Sequence, residues 1–205
     1  MNQISNKEKA EFFDAHADSP WAAAEYTREE IEKISWLIEK TGLAPGWRVL
    51  EPGCGTGRVT EILARIVGDR GRVLAMDVSK EMVERAHKRC QGLPPTSIQH
   101  AALETMNIER EGFDLALCFN FFPHLDHKPQ ALSIIHRALA PEALLAIFHL
   151  EASSFINDLH RKAGTVVEHD MIPTRPQLER MLLEAGFDPL EFRDDDRYFL
   201  MARKK

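Results

Sequence analysis

The chain has 205 residues, of which 44% are hydrophobic and 28% are charged, and these are ordinary values for a single globular domain. The formal net charge is −6 and no long basic stretch occurs, so nucleic acid and anionic membrane surfaces are disfavoured as partners. No apolar run reaches the length of a membrane span, and the first residues lack the apolar core of a signal peptide. Three scattered cysteines are too few for a disulfide framework, which favours a reducing, cytoplasmic location.

Strand-like and helix-like segments alternate along the chain, which predicts a parallel sheet covered by helices on both faces. The segment before the first strand is helical and carries aromatic anchors. The predicted strands are 48–51, 72–77, 96–101, 113–120 and 143–150. The predicted helices are 57–67, 79–90, 128–139 and 175–187. Residues 151–173 form an irregular connection with a helical part, and the tail predicts a hairpin of 189–193 and 197–204.

The most informative stretch is VLEPGCGTG at residues 49–57, where an apolar strand ends in an acid and opens into a glycine turn. Gly53, Gly55 and Gly57 allow the backbone to approach a ligand closely. Dinucleotide-binding folds use a related device, G-x-G-x-x-G, in which the third glycine lies five positions after the first. That position is occupied by Arg58, so the spacing disfavours a dinucleotide site.

The pattern E-x-G-x-G-x-G resembles motif I of the class I S-adenosylmethionine-dependent methyltransferases, of the small-molecule kind with a type 11 or type 25 domain. The resemblance is strongest over residues 47–125. It implies an α/β, Rossmann-like three-layer sandwich, with a mostly parallel seven-stranded sheet and a C-terminal antiparallel hairpin, in one domain spanning 1–205. It also implies a helical lid or cap at 1–45, a cofactor-binding core at 46–150, and an acceptor-side connection, helix and hairpin at 151–205.

The same resemblance implies which residues hold S-adenosyl-L-methionine. Glu51 would contact the methionine end through its amino group or a bridging water, although an ordinary cap of the turn is an alternative. Asp77 follows 26 residues later at the end of the second strand, where an acid can accept hydrogen bonds from both ribose hydroxyls. Ser79 can cap the next helix, which would leave Asp77 for the ligand. The predicted cofactor residues are Glu51, Gly53, Gly55, Gly57, Asp77, Val78, Met82, Ala102, Leu103, Phe119 and Asn120.

Three of these positions concern the adenine ring. Met82 is expected near the ring, with packing in the core as an equal alternative. Ala102 stands where many relatives carry an Asp that binds the adenine amino group, so that side-chain contact is missing and the backbone amide of Leu103 remains to serve the ring. One lost hydrogen bond costs about 0.5–1.5 kcal/mol, which weakens an adenine site without abolishing it.

The end of the fourth strand is expected to border the reacting groups. Asn120 lies near the place where the methyl group and the acceptor would meet. Phe119 and Phe122 are expected to wall this site and to keep water from the sulfonium.

Methyl transfer requires a general base only where the acceptor must lose a proton, as a hydroxyl or some amines must, which draws attention to the histidines. Five of the nine follow predicted strands four and five or lie in the next connection: His124, His127, His149, His160 and His169. One interpretation is acceptor binding or acid–base chemistry, with His124 and His149 as catalytic candidates. Another is a divalent metal held by His149, His160 and His169, although their spacings of eleven and nine residues match no compact zinc signature. A third is that each imidazole is solvated or hydrogen-bonded by itself. Asp170 could orient the ring of His169.

The sequence therefore predicts an S-adenosylmethionine-dependent methyltransferase that moves a methyl group to a small-molecule acceptor by in-line displacement. One alternative is a protein or nucleic-acid methyltransferase, which the acidic balance and the lack of an N-P-P-Y-like run disfavour. The other is a non-catalytic member that binds the cofactor or a related nucleoside. The identity of the acceptor and the oligomeric state are left open by the sequence.

Overall fold

The computed structural model describes residues 6–163 and 165–205, which form two compact units that divide between Met106 and Asn107. In this described part of the chain, no helix is long and apolar enough to cross a membrane.

The first unit contains five helices and three strands among its described residues. The helices are α1 Asn6–Ala15, α2 Pro20–Ala23, α3 Arg28–Thr41, α4 Arg58–Val67 and α5 Lys80–Arg89. The strands are β1 Arg48–Pro52, β2 Arg72–Asp77 and β3 Thr96–His100, and a short 3-10 turn follows at Leu103–Thr105. β1 pairs with β2 and β2 pairs with β3, both in parallel.

The second unit contains four strands and three helices among its described residues. The strands are β4 Phe113–Phe119, β5 Leu139–His149, β6 Phe187–Asp194 and β7 Tyr198–Lys204. The helices are α6 Lys128–Ala138, α7 Ser153–Ala163 and α8 Arg175–Glu184, with 3-10 turns at Phe122–His124 and Thr165–Val167. β4 and β5 are parallel, whereas β7 pairs antiparallel with both β5 and β6.

The strands form a mixed seven-stranded sheet in the order β3-β2-β1-β4-β5-β7-β6. A mostly parallel sheet that ends in an antiparallel hairpin is the predicted α/β, Rossmann-like class, so that prediction is confirmed. Leu50 in β1 and Phe148 in β5 are both 0% exposed. Strands that helices cover on both faces are buried in this way, and their sequences are therefore mostly apolar.

Local signals in the sequence account for where several helices begin. Thr27 and Glu30 form a capping box at the start of α3, because each side chain accepts from the backbone amide of the other. Ser79 caps α5 by accepting from the amide of Met82, as predicted. Gly57 precedes α4 in the left-handed conformation, with φ of 81°.

Two predicted boundaries differ most from the structure. Strand five begins at Leu139 and not at 143, because Leu139 pairs with Phe113 before the register shifts. Glu142 lies within this strand at a φ of 64°, so the strand runs through a Pro-Glu step that resembles a breaker in the sequence. The last predicted helix ends at Glu184 and not at 187, and Phe187 instead starts β6.

The glycine turn supplies a test of the fold with a matched control. A Cβ at position 57 would lie 2.9 Å from the Cα and Cβ of Ala86 in α5, whereas a Cβ at Gly55 would meet nothing within 4 Å. Both glycines have positive φ, so either alanine carries a backbone cost of about 1–2 kcal/mol. We expect Gly57→Ala to lower the free energy of unfolding in urea by clearly more than Gly55→Ala does. Equal losses would contradict this close approach of α5 to the turn.

Candidate active site

The glycine turn after β1 is fixed by backbone hydrogen bonds to the end of β2. The amides of Gly53 and Cys54 both donate to the carbonyl of Met76, at 2.8 and 3.0 Å. The amide of Gly57 closes the turn on the carbonyl of Cys54 at 3.0 Å. Because nothing stands within 4 Å of a Cβ at Gly55, this part of the turn offers room for a ligand beside the backbone.

Asp77 links this turn to the start of α5. Its Oδ2 accepts from the amide of Gly55 and its Oδ1 accepts from the amide of Ser79, each at 2.9 Å. Burial raises the pKa of Asp77, and the amides of Ser79 and Gly55 counteract that rise. The expectation that Asp77 is left wholly to the ligand therefore needs correction, because its carboxylate already accepts from the amides of Ser79, Gly55 and Val78. A carboxylate has about four lone-pair sites, so Asp77 can still accept from a ribose hydroxyl.

Glu51 is a buried carboxyl with an unmet need for a partner. The residue is 2% exposed, and its Oε2 is fully buried without a hydrogen-bond partner among the described residues. Burial raises its pKa to about 8, the Thr60 hydroxyl lowers it, and the charge of Asp77 raises it further. A buried carboxylate is costly unless a cation compensates it, so this atom fits the ammonium group of a methionine moiety. A mere turn cap would not leave this oxygen unpartnered.

The predicted adenine positions differ in what they contact. Met82 is 2% exposed and packs in a small apolar cluster with Ala17, Ala22 and Phe13, which favours the alternative of core packing. Ala102 precedes the 3-10 turn Leu103–Thr105 and offers no capping side chain. The predicted adenine contact of the Leu103 amide stays a prediction.

The end of β4 is partly structural. Phe119 stacks on Phe148 with ring centroids 5.5 Å apart, and Phe122 is fully buried, so Phe122 is a core residue and not a wall of the site. Asn120 has a φ of 50°, which asparagine tolerates better than most residues. Its backbone amide donates to the carbonyl of Phe148, and its side-chain Oδ1 accepts from the backbone amide of Leu150 at 3.2 Å. Asn120 therefore joins the ends of β4 and β5.

The N-terminal segment is attached to the glycine turn and to α5 within the first unit. The guanidinium of Arg58 donates to the backbone carbonyls of Trp21 and Ala24, the latter at 2.8 Å. The carboxylate of Asp14 accepts from the hydroxyl of Ser79 at 2.6 Å. The segment is thus docked as a cap, and its opening as a lid stays a prediction.

A second set of polar side chains gathers at the ends of β4 and β5. The Nδ1 of His124 lies 2.7 Å from the Oδ2 of Asp170, and the Nδ1 of His160 is hydrogen-bonded to the backbone carbonyl of Asp170. The rings of His124 and His160 have centroids 5.0 Å apart. His149 ends β5 opposite Tyr198, the first residue of β7. We call these five residues the histidine cluster.

The structure changes two expectations about the histidines. Asp170 orients His124 and not His169, whose ring is mostly exposed and pairs with Glu168 at 3.1 Å. Within residues 6–163 and 165–205, no group of three or more His, Cys, Asp or Glu side chains has a geometry suited to a metal ion. The metal hypothesis on His149, His160 and His169 therefore receives no support from the described geometry.

His149 and Tyr198 carry buried polar atoms that the protein does not satisfy. Neither the Nε2 of His149 nor the hydroxyl of Tyr198 has a hydrogen-bond partner among the described residues. Burial lowers the pKa of His149 to about 3, with His124 and His160 adding to the effect. His149 is therefore neutral near pH 7 and too weak a base to remove a proton, so its role narrows to hydrogen bonding.

The sequence drew attention to Asp170 but gave it the wrong partner, and it did not single out Tyr198. Asp170 is paired with His124 across 46 positions, and no local spacing signals such a contact. Tyr198 was placed in the terminal hairpin, but its position opposite His149 depends on the antiparallel register of β5 and β7.

With the geometry in hand, comparisons with known proteins identify the family. A family model described as a methyltransferase domain matches residues 49–142. The ubiquinone/menaquinone biosynthesis C-methyltransferase UbiE of Hydrogenovibrio crunogenus is 30% identical over 184 residues, covering 76% of this chain and 71% of that protein. An uncharacterised 37.1 kDa protein in transposon Tn4556 of Streptomyces fradiae is 29% identical over 163 residues, and the chain spans only 47% of its length.

Solved structures agree in fold. A SAM-dependent methyltransferase from Aquifex aeolicus superposes with a TM-score of 0.72 at 20% identity, over 99% of this chain and 100% of that one. The chain belongs to the class I S-adenosylmethionine-dependent methyltransferases. S-adenosylmethionine is accordingly its cofactor.

The raised pKa of Glu51 makes stability depend on pH. The stability that protonated Glu51 retains is complete below its ordinary value of 4.5 and is lost as the pH rises toward about 8. We expect Glu51→Gln, which cannot ionise, to be more stable than the parent protein above pH 8, by up to about 5 kcal/mol at 1.36 kcal/mol per pKa unit. The difference should shrink toward pH 4, as followed by urea denaturation across pH.

Glu61 provides the control of opposite sign. Its pKa is lowered by hydrogen bonds from Arg65 and Arg89, so Glu61→Gln should not stabilise the protein at high pH. If both glutamines behave alike, Glu51 is not the uncompensated group.

Proposed function

We propose that this methyltransferase transfers the methyl group of S-adenosylmethionine to a small-molecule acceptor. The observation that carries the donor half is the buried, unpartnered carboxyl of Glu51 at the head of an open glycine turn. The acceptor half is supported by the name of the UbiE relative, an enzyme of ubiquinone/menaquinone biosynthesis, and by the net charge of −6.

In this proposal each residue of the donor site has a separate task. Glu51 binds the ammonium group of the methionine end, the open backbone at Gly55 admits the ligand, and Asp77 accepts from the ribose hydroxyls. When bound, the cofactor supplies an electrophilic methyl group on a sulfonium. The protein mainly aligns donor and acceptor, and such positioning contributes about 7–11 kcal/mol to lowering a barrier of this kind.

We also propose a reducing, cytoplasmic location, which three buried free thiols support: Cys54, Cys90 and Cys118.

Calorimetry tests the donor half directly. Because Glu51 has a pKa of about 8, it is mostly protonated at pH 7, and an approaching ammonium group should displace that proton. We expect binding of S-adenosylmethionine and of its demethylated product to release protons at pH 7, measured in buffers of different ionisation enthalpy. Glu51→Gln should abolish the release. If neither S-adenosylmethionine nor its demethylated product binds, the proposed function is overturned.

Asp77→Ala should weaken binding of both compounds at least tenfold, since charge-assisted hydrogen bonds contribute about 1.5–3 kcal/mol each. Asp69→Ala, at an exposed acid in the same unit, is the matched control and should leave the affinity unchanged. An unchanged affinity in Asp77→Ala would contradict the ribose assignment.

A further inference from the structure

Asp170 fixes the proton positions of two imidazoles at once. Its carboxylate contacts the Nδ1 of His124, and its backbone carbonyl contacts the Nδ1 of His160. Carboxylate and carbonyl oxygens only accept hydrogen bonds, so each Nδ1 must carry the proton. In the neutral rings the Nε2 atoms of His124 and His160 are therefore the proton-accepting atoms.

This arrangement suits His124 for proton transfer. An imidazole whose Nδ1–H is held by a carboxylate has a fixed ring and tautomer, and the carboxylate stabilises the imidazolium that forms. The side chains of His124 and Asp170 are only 16% and 9% exposed, so little water weakens their interaction. His160 donates to the backbone carbonyl of Asp170 and so helps to fix the position of this residue.

We propose that His124 is the general base of this methyltransferase, that Asp170 is its positioning residue, and that the acceptor attacks through a protonated oxygen, as in a phenol or an enol. This inference rests on the proposed function. It goes further by naming the chemical class of the acceptor.

The rest of the cluster favours an uncharged hydroxyl over a cationic amine. The cluster's carboxylate is already engaged by His124, so an ammonium group would meet imidazoles and a buried phenol. The unsatisfied Nε2 of His149 and hydroxyl of Tyr198 instead suit a second, neutral polar group on the acceptor. Burial raises the pKa of Tyr198, which keeps its hydroxyl protonated as a donor.

The proposed step balances in protons and electrons. The acceptor's O–H proton moves to the Nε2 of His124 while an oxygen lone pair forms the new O–CH₃ bond. A bound cofactor would supply the methyl group and would keep the electron pair of the broken C–S bond on its sulfur, as a neutral thioether. The imidazolium of His124 next returns its proton to solvent.

Several ionisable groups lie in the histidine cluster and on the elements beside it. The groups in the cluster and on the elements beside it are Asp170, His160, His149, Tyr198, Asp194 and Lys128. Lys128 donates to the carbonyls of Pro123 and Leu125, so it braces the turn that carries His124. Removal of the Asp170 charge should lower the pKa of His124, because it destabilises the imidazolium.

The proton acceptor can be tested with 4-nitrophenol, whose phenolate is coloured, in the absence of any cofactor. We expect 4-nitrophenol bound to the parent protein to ionise at a lower pH than it does in water. In His124→Gln this lowering of its ionisation pH should be lost. His87→Gln, at an exposed histidine in α5, is the control and should behave as the parent. Equal ionisation in the parent and His124→Gln would overturn the base assignment.

Nitrogen NMR of ¹⁵N-histidine protein tests the positioning residue. We expect Nδ1–H tautomers at His124 and His160 in the parent protein. In Asp170→Asn, the pKa of His124 should fall. His160 should keep its Nδ1–H tautomer, because the backbone carbonyl that it contacts is unchanged. An unchanged His124 pKa in Asp170→Asn would overturn the role of Asp170.

Turnover with a series of para-substituted phenols tests the acceptor class. Loss of a general base costs about 10²–10⁴-fold, so His124→Gln should lose that much kcat with weakly acidic 4-methoxyphenol and far less with 4-nitrophenol. Methylation of thiols or amines in preference to every phenol would overturn the acceptor class. Cofactor calorimetry separates the two levels: bound cofactor with an unchanged His124→Gln profile sinks only this inference, whereas no cofactor binding sinks the proposed function.

Discussion

The donor half of this protein depends on the carboxylate of Asp77. One oxygen holds the amide of Gly55 in the glycine turn, and the other holds the amide of Ser79 at the start of α5. A single side chain at the end of β2 therefore fixes the turn and orients the next helix. The turn can leave space open at Gly55 because its shape is set from outside by this carboxylate and by the carbonyl of Met76. Because the turn is already ordered, the protein loses less conformational entropy when a ligand binds.

Each unit uses one aspartate to organise its own polar groups. Asp77 arranges backbone amides in the first unit, and Asp170 arranges imidazoles in the second. Beside each aspartate lies a buried polar atom that the described protein leaves unsatisfied: Oε2 of Glu51 in one unit and Nε2 of His149 in the other. Buried atoms without partners are rare in folded proteins, so each calls for an explanation, and a bound ligand is one such explanation. The two halves thus share a logic although their chemistry differs.

The sequence predicted the order and type of the strands well, because buried parallel strands such as Leu50 to Glu51 and Ala75 to Asp77 are short apolar runs that end in acids. It also located Ser79 as a cap, since capping is a local interaction. The start of β5 was missed because Pro141 and Glu142 resemble a break in the sequence.

The partner of His124 was missed for a different reason. Because His169 and Asp170 are neighbours in the sequence, Asp170 was expected to orient His169. In the folded chain its carboxylate instead contacts His124, which lies 46 positions away. Tertiary contacts of this kind follow from packing, and no single-sequence periodicity encodes them.

The way Arg58 holds the N-terminal segment has a consequence for how this protein can vary. Arg58 and Thr56 grip the carbonyls of Trp21, Ala22 and Ala24, and carbonyls are present whatever side chains those positions carry. Substitutions at the exposed positions Trp21 and Ala24 can therefore change the surface that the segment presents while these carbonyl contacts remain. Asp14, Asp18 and Glu25, by contrast, hold α5 through their side chains. Where the cap is anchored by its main chain, its outer face is free to diverge.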